Sequence, residues 1–281
     1  LVTGDIAYSA DRKQFDTAFK WLDQLAVVSG CPKENIWVAP GNHDVDRTKA
    51  GSHRVTSARN MLRTRPCDIG HFLADTDFAG TFYEALQEYN HFAANYSCQI
   101  GPDRPVWTAT LPLNDGSSIV LCGLNTTLAS GPEDDKQSHL LVMGPLLQFL
   151  PERPGIVYLT MAHHPMAWLA DQEAVYTELQ ARARIQLFGH THRQAVDQTG
   201  NSLRLVSGAA HPSRGEPGWI PRYNAIQLRV ANNEGRRSLE VLLHARIWRA
   251  LRTTFGPCTE RTDEPPEVFR LTMLGRPRST S

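Results

Sequence analysis

No run of about 18 uninterrupted apolar residues occurs in this chain, so nothing in it reads as a membrane-spanning helix. Neither sign of charge is in surplus, with 29 Lys plus Arg against 29 Asp plus Glu. The global positive field of a dedicated nucleic-acid binder is therefore missing, and any anionic ligand must be held locally. Cysteine is sparse, five in number and without a CxxC spacing, which excludes a disulfide framework and a Cys-type zinc site and points to a reducing, cytoplasmic setting. There is no internal repeat and no low-complexity tract in the body of the chain. The chain opens "LVTGDIAYSA", without an initiator Met or a signal-like segment, and these residues read as the end of a buried strand. We expect a fragment of a longer polypeptide, fused to further domains. With 281 residues, 41% of them hydrophobic, a substantial core can form.

What is present is an alternation of helices and strands, the pattern of a layered α/β domain. Between Asp11 and Gly30 the residues Phe15, Phe19, Leu22, Leu25 and Ala26 recur at helical spacing, and Gly30 stops the run as a C-terminal cap. "NIWVAP" reads as a short buried strand. "FAGTFYEALQEYNHFAANY" reads as one helix with Phe82, Ala85, Leu86, Tyr89 and Phe92 on one face. "SSIVLCGLN", "GIVYLTMAHHP", "RIQLFGHTH", "SLRLVSGAA", "YNAIQLRV" and "SLEVLLHARIW" read as strands. The domain is expected to span residues 1–250, with 251–281 as a loosely attached extension or linker.

The chemistry collects at strand ends. Asp5 follows "LVTG", Asn42, His43 and Asp44 follow "WVAPG", His163 and His164 follow "YLTMA", and His190 and His192 follow "LFG". In an open α/β sheet, loops beyond the carboxyl ends of strands share one crevice, so these residues can converge. Asp, Asn and His supply hard oxygen and borderline nitrogen donors, which suit Mn, Fe or Zn. In His190-x-His192 alternate residues can point to neighbouring ions, with a shared carboxylate such as Asp5 between them. Two metals about 3.5–4 Å apart clamp a phosphoryl group and lower the pKa of a water, giving a hydroxide nucleophile near neutral pH.

"GD" at Gly4-Asp5, "GNHD" at Gly41–Asp44, "HHP" at His163–Pro165 and "GHTH" at Gly189–His192 resemble, in order, the motifs of the calcineurin-like metallophosphoesterase superfamily over roughly residues 1–230. The resemblance implies a four-layer α-β-β-α sandwich and a centre with two metal ions. It implies that Asp5 bridges them, that Asn42, His163 and His190 hold the second, and that His192 holds the first. By the same resemblance His43 protonates the leaving oxygen or steadies the phosphate, oriented by Asp44. The motif alignment favours His163 as the ligand and leaves His164 as a second-layer or substrate-side group. Asn125 in "GLNTT" and Arg47 just past the GNHD turn are further candidates for the pocket. The remaining histidines, His53, His71, His91, His139, His211 and His244, take a surface or packing reading.

The D-x-H motif that opens this family and gives the first metal two ligands is not in the sequence. The expectation is therefore one metal bound well, the other poorly, and weak catalysis. Residues 46–70 read as an irregular insertion, with Arg47, Lys49, Arg54, Arg59, Arg63 and Arg65 and no acid between Asp46 and Asp68. Either they line the approach of a nucleotide or nucleic-acid backbone, or they form a solvated face next to the acidic stretch His71–Asp77. The function expected is hydrolysis of a phosphoester, most of all a phosphodiester. A nuclease acting on DNA or RNA and a non-catalytic docking module with a decayed fold are the alternatives.

Overall fold

The computed structural model describes residues 1–65, 68–131, 150–151, 153–210, 220–233 and 236–273. His139, His211 and the closing "GRPRSTS" fall outside them. Helix α1 (Arg12–Ser29) forms where the periodicity predicts it. Asp11 caps its start by accepting from the Lys13 N–H, Phe15, Leu22 and Ala26 bury one face, and Gly30, at φ 66°, closes it. Leu25, expected on that face, lies to its side and stays half exposed.

"NIWVAP" does not form a full strand; a single parallel bridge joins Val2 to Val38. Side chains complete the pairing, because the Val38 carbonyl accepts from Trp107 Nε1 at 2.9 Å and from the Tyr89 hydroxyl at 3.1 Å. The basic stretch is helical rather than irregular: Asp46 caps α2 (Arg47–Ala50) and Ser52 caps α3 (His53–Thr64), followed by α4 (Ile69–Ala74). The single helix expected next is broken into α5 (Thr76–Tyr83) and α6 (Gln87–Ala93) by a 3-10 turn at Glu84–Leu86. The cause is visible at Ala85, whose carbonyl accepts from the Asp46 N–H at 2.9 Å. The predicted apolar face survives the break, and Phe82, Ala85, Leu86, Tyr89 and Phe92 are all buried.

Six strands follow in one sheet: β1 (Trp107–Pro112), β2 (Ser118–Gly123), β3 (Ile156–Met161), β4 (Ala183–Phe188), β5 (Ala195–Thr199) and β6 (Ser202–Val206), in the spatial order β1-β2-β3-β4-β6-β5. Strands β2, β3, β4 and β6 are parallel, and the antiparallel β1 and β5 form the edges. A second sheet holds β7 (Arg222–Asn233), β8 (Arg236–Arg249), β9 (Thr254–Pro257) and β10 (Glu267–Thr272), with β8 central.

The parallel strands are covered on both faces, as such strands require. On one face Ile119, Leu121, Val157, Leu159, Ile185 and Leu205 share a core with Val230, Leu239, Val241, Leu243 and Leu271 of the second sheet. On the other, Cys122, Tyr158 and Phe188 pack beneath Val175 and Leu179 of α7 (Gln172–Arg182). The architecture is thus of the α-β-β-α class. No described helix is long and apolar enough to cross a membrane.

The region beyond residue 250 does not behave as a loose extension in its described part. Strands β9 and β10 both pair with β8, and Leu271 is fully buried. In "EVFRLT" Phe269 and Leu271 face inward while Val268 and Arg270 are exposed, a period-two pattern that the preceding Pro265-Pro266 obscures.

Candidate metal centre

The GD and GNHD turns meet almost backbone to backbone. A Cβ on Gly4 would fall 2.5 Å from His163 Nδ1 and 2.7 Å from the Gly41 backbone, and one on Gly41 would fall 2.2 Å from Asp5 N. Only glycine fits either place. Asp5 itself adopts φ 54°, a left-handed conformation uncommon outside glycine, which brings its carboxylate back over the strand ends. His190 and His192 share this conformation at φ 64° and 53°. Three of the motif side chains therefore sit on strained backbone, which the two packed turns and the sheet must hold in place.

Four donor atoms converge. His163 Nδ1 donates to the Thr3 carbonyl at 2.7 Å, which leaves Nε2 with its lone pair directed the other way. Around that Nε2 lie Asn42 Oδ1 at 3.1 Å, Asp5 Oδ2 at 3.2 Å and His190 Nδ1 at 3.2 Å. Burial works against a charged His163, but the adjacent Asp5 carboxylate raises its pKa above the ordinary histidine value. Burial likewise opposes the charge on Asp5, yet His163 and the His43 N–H hold its carboxyl well below the usual range. Lone pairs of this number facing one another are the donor set of a cation, and a proton shared with Asp5 is the lesser substitute. The residues present therefore fit a divalent metal.

The second half of the expected centre is thinner. His192 is half buried, and its pKa is lowered by desolvation even with Asp5 nearby. Among the described residues, only one group of three or more His, Cys, Asp or Glu side chains has ligand atoms within 4.8 Å of one another, and it consists of His163, His164 and His190.

The GNHD residues divide their work differently from the expectation. Asp44 does not orient His43. Its fully buried carboxylate accepts from the backbone N–H groups of Ala7 at 2.7 Å, Gly41 at 2.8 Å and Ile6 at 3.2 Å, and so ties the two turns together. Burial and the neighbouring Asp5 push its pKa up to about 7, while the three N–H groups oppose that rise. His43 takes its orientation from Tyr8: Nδ1 donates to the Tyr8 carbonyl at 2.8 Å, and the two rings stack at 5.3 Å. Arg47 Nη2 lies 3.4 Å from the same Nδ1.

Other candidates are placed elsewhere. Asn125 is buried and turned onto its own loop, its Oδ1 accepting from Thr127 N at 2.8 Å and Thr127 Oγ1 at 2.9 Å. Its neighbour Thr126, which carried no signal of its own, is the residue that faces the histidines, 2.9 Å from His164 Nδ1. His164 is fully buried, with its Nδ1 turned to Thr126. Thr3, Tyr8 and Trp168 were also invisible to motif reading, since the first two act through carbonyl oxygens and Trp168 packs edge-on to His190 at 4.2 Å.

The basic residues of α2 and α3 are largely committed to the fold. Arg59 is buried and donates to the carbonyls of Ala50 at 3.1 Å and Ser130 at 3.2 Å. Arg63 donates to the Ala129 carbonyl, Arg54 to Thr81 Oγ1, and Lys49 to Gln87 Oε1. Arg59 thus belongs to the core, while Arg47, Arg54 and Arg65 stay exposed.

Comparison with known proteins bears on the same residues. A Bacillus subtilis protein described as the uncharacterized metallophosphoesterase-like protein YydB is 22% identical over 223 residues, covering 74% of this chain and 45% of its own length. The chain thus spans under half of that relative. Among solved structures, Vps29 from Entamoeba histolytica complexed with zinc aligns over 59% of each chain at 13% identity and a TM-score of 0.24. Vps29 from Chaetomium thermophilum aligns over 60% of this chain and 62% of its own at 10% identity and a TM-score of 0.26. These structural likenesses add nothing to the assignment. A model of the calcineurin-like phosphoesterase family matches residues 1–194, which contain every motif from Gly4-Asp5 to His192. With that match over more than half of its length, the chain belongs to the calcineurin-like phosphoesterase family.

Proposed function

We propose that this chain hydrolyses a phosphodiester by metal-dependent chemistry at the Asp5, Asn42, His163 and His190 cluster. The observation that carries the reading is the convergence of Asn42 Oδ1, Asp5 Oδ2 and His190 Nδ1 on the outward lone pair of His163 Nε2, each within 3.2 Å. Mn, Fe or Zn bound there, with a second ion between Asp5 and His192, would supply an acidified water and neutralise phosphoryl charge.

The chain's own groups do the rest. His43, whose Nδ1–H is donated to the Tyr8 carbonyl, would act as the doubly protonated imidazolium, its Nε2–H passing to the leaving oxygen. Asp44 holds the two turns at the spacing this needs, and Arg47 beside His43 attracts the anionic substrate. Arg59 is buried and Arg63 donates to the Ala129 carbonyl, whereas Arg54 and Lys49 keep 64% and 39% of their side-chain surface exposed. With Arg59 and Arg63 turned into the fold, part of the expected cationic track is withdrawn, which favours a small diester over a DNA or RNA backbone. Four free thiols among the described residues, Cys31, Cys98, Cys122 and Cys258, support a cytoplasmic setting.

The test is a metal-screened assay of bis-p-nitrophenyl phosphate against p-nitrophenyl phosphate, with His43→Ala alongside. Faster turnover of the diester supports the reading. Preference for the monoester, or full activity in His43→Ala, contradicts it.

A further inference from the structure

His163 and His164 leave the end of β3 in succession, and their rings turn to different partners. His163 Nδ1 faces the Thr3 carbonyl, whereas His164 Nδ1 lies 2.9 Å from Thr126 Oγ1. The same hydroxyl accepts the His164 backbone N–H at 3.1 Å, so the residue is fixed at two points. The side chain is completely buried, yet its Nε2 has no hydrogen-bond partner. A buried imidazole nitrogen left in this state costs about 1–3 kcal/mol, which a bound cation would recover. The His164 ring centroid lies 4.7 Å from that of His163 and 4.5 Å from that of His190. The ligand atoms of the three side chains lie within 4.8 Å of one another.

Resting on the reading of this centre as a metal-dependent phosphoesterase site, we infer that His164 is a further metal ligand, giving the Asp5, Asn42, His163 and His190 cluster a third imidazole. The added nitrogen turns a mixed oxygen and nitrogen site into one weighted toward imidazole. Such a set favours Co, Zn or Fe over the harder Mn and Mg. Thr126 is then the residue that holds the ligand in place, as metal-bound histidines require of their neighbours.

The experiment loads the 281-residue chain with Co(II) and follows the exchangeable imidazole N–H resonances shifted by the paramagnetic ion, in the wild type, in His164→Gln and in Thr126→Val. The expected result is loss of one shifted resonance in His164→Gln, with Co(II) affinity lowered about tenfold or more. Mn(II) affinity should fall less, and Thr126→Val should keep the resonance with a smaller loss. In the wild type alone, a large Co(II)-induced shift of the His164 Nε2 signal in 15N-histidine-labelled protein gives the same answer without any substitution. If His164→Gln retains every shifted resonance, or His164 Nε2 does not move, His164 is no ligand and the metal-centre reading stands without it. If the wild type binds no Co(II) at all, both fall.

Discussion

The proposed metal centre has two sides, both beside Asp5, and they differ in how many donors the structure brings together. On one side Asn42 Oδ1 and His190 Nδ1 each lie within 3.2 Å of His163 Nε2, held by Thr3, by the tight Gly4 and Gly41 turns and by the sheet. On the other side stands His192, half buried. The first side resembles a preorganised ligand set, whose geometry is fixed before the ion arrives. Around His192 the described residues form no group of three or more His, Cys, Asp or Glu ligand atoms. The difference teaches that the motif order alone does not describe such a centre; what counts is how many donors the fold brings to each ion.

The largest effect that would break this comparison is expected from His163→Ala. Removing the ligand at the middle of the first side should abolish tight metal binding, and diester hydrolysis should fall by a factor of about a thousand or more, read by metal titration and by kcat/KM. His43→Ala should separate chemistry from metal binding, with a loss of about 10²–10⁴ in kcat and a metal affinity close to that of the wild type. Arg59→Ala tests the claim that the basic helices serve the fold. It strands the buried Ala50 and Ser130 carbonyls and should cost about 2–4 kcal/mol, seen as a lower denaturant midpoint.

A smaller effect is expected from His192→Ala, which lies outside the Asp5, Asn42, His163 and His190 cluster: the affinity of the tightly held ion should change by no more than a few-fold. The smallest lies far from the centre. Asp115 pairs with Ser117 and Arg237, and although desolvation opposes it, these partners lower its pKa. Its stabilising contribution is present above the unfolded carboxylate pKa and is lost as pH falls through the lower folded value. Asp115→Asn should therefore cost about 1 kcal/mol or less at neutral pH, since the pair is part-exposed and screened by solvent, and nothing in strong acid.

Much of the centre was legible because each motif is local. Asn42, His43, His163 and His190 stand at strand or strand-like ends that apolar runs announce, and α1 could be read to within a residue at each end from Asp11, its apolar period and Gly30. What could not be read depends on partners distant in the chain. Asp44 was assigned to its neighbour His43, yet its hydrogen bonds reach Ile6 and Ala7, some 37 to 38 residues away. The arginines of α3 looked like an anion track because their acceptors, the carbonyls of Ala129 and Ser130, have no signature in sequence. The helix expected across Glu84–Leu86 breaks for a similar reason, its Ala85 carbonyl being claimed by the Asp46 N–H.

The central proposal is that the position at Asp5, Asn42, His163 and His190 binds its ion more tightly than a position at His192. The measurement that tests it most directly is the number of ions retained per 281-residue chain after loading with excess Mn, Fe or Zn and exhaustive dialysis. The account predicts one tightly held ion. Two tightly held ions would contradict it.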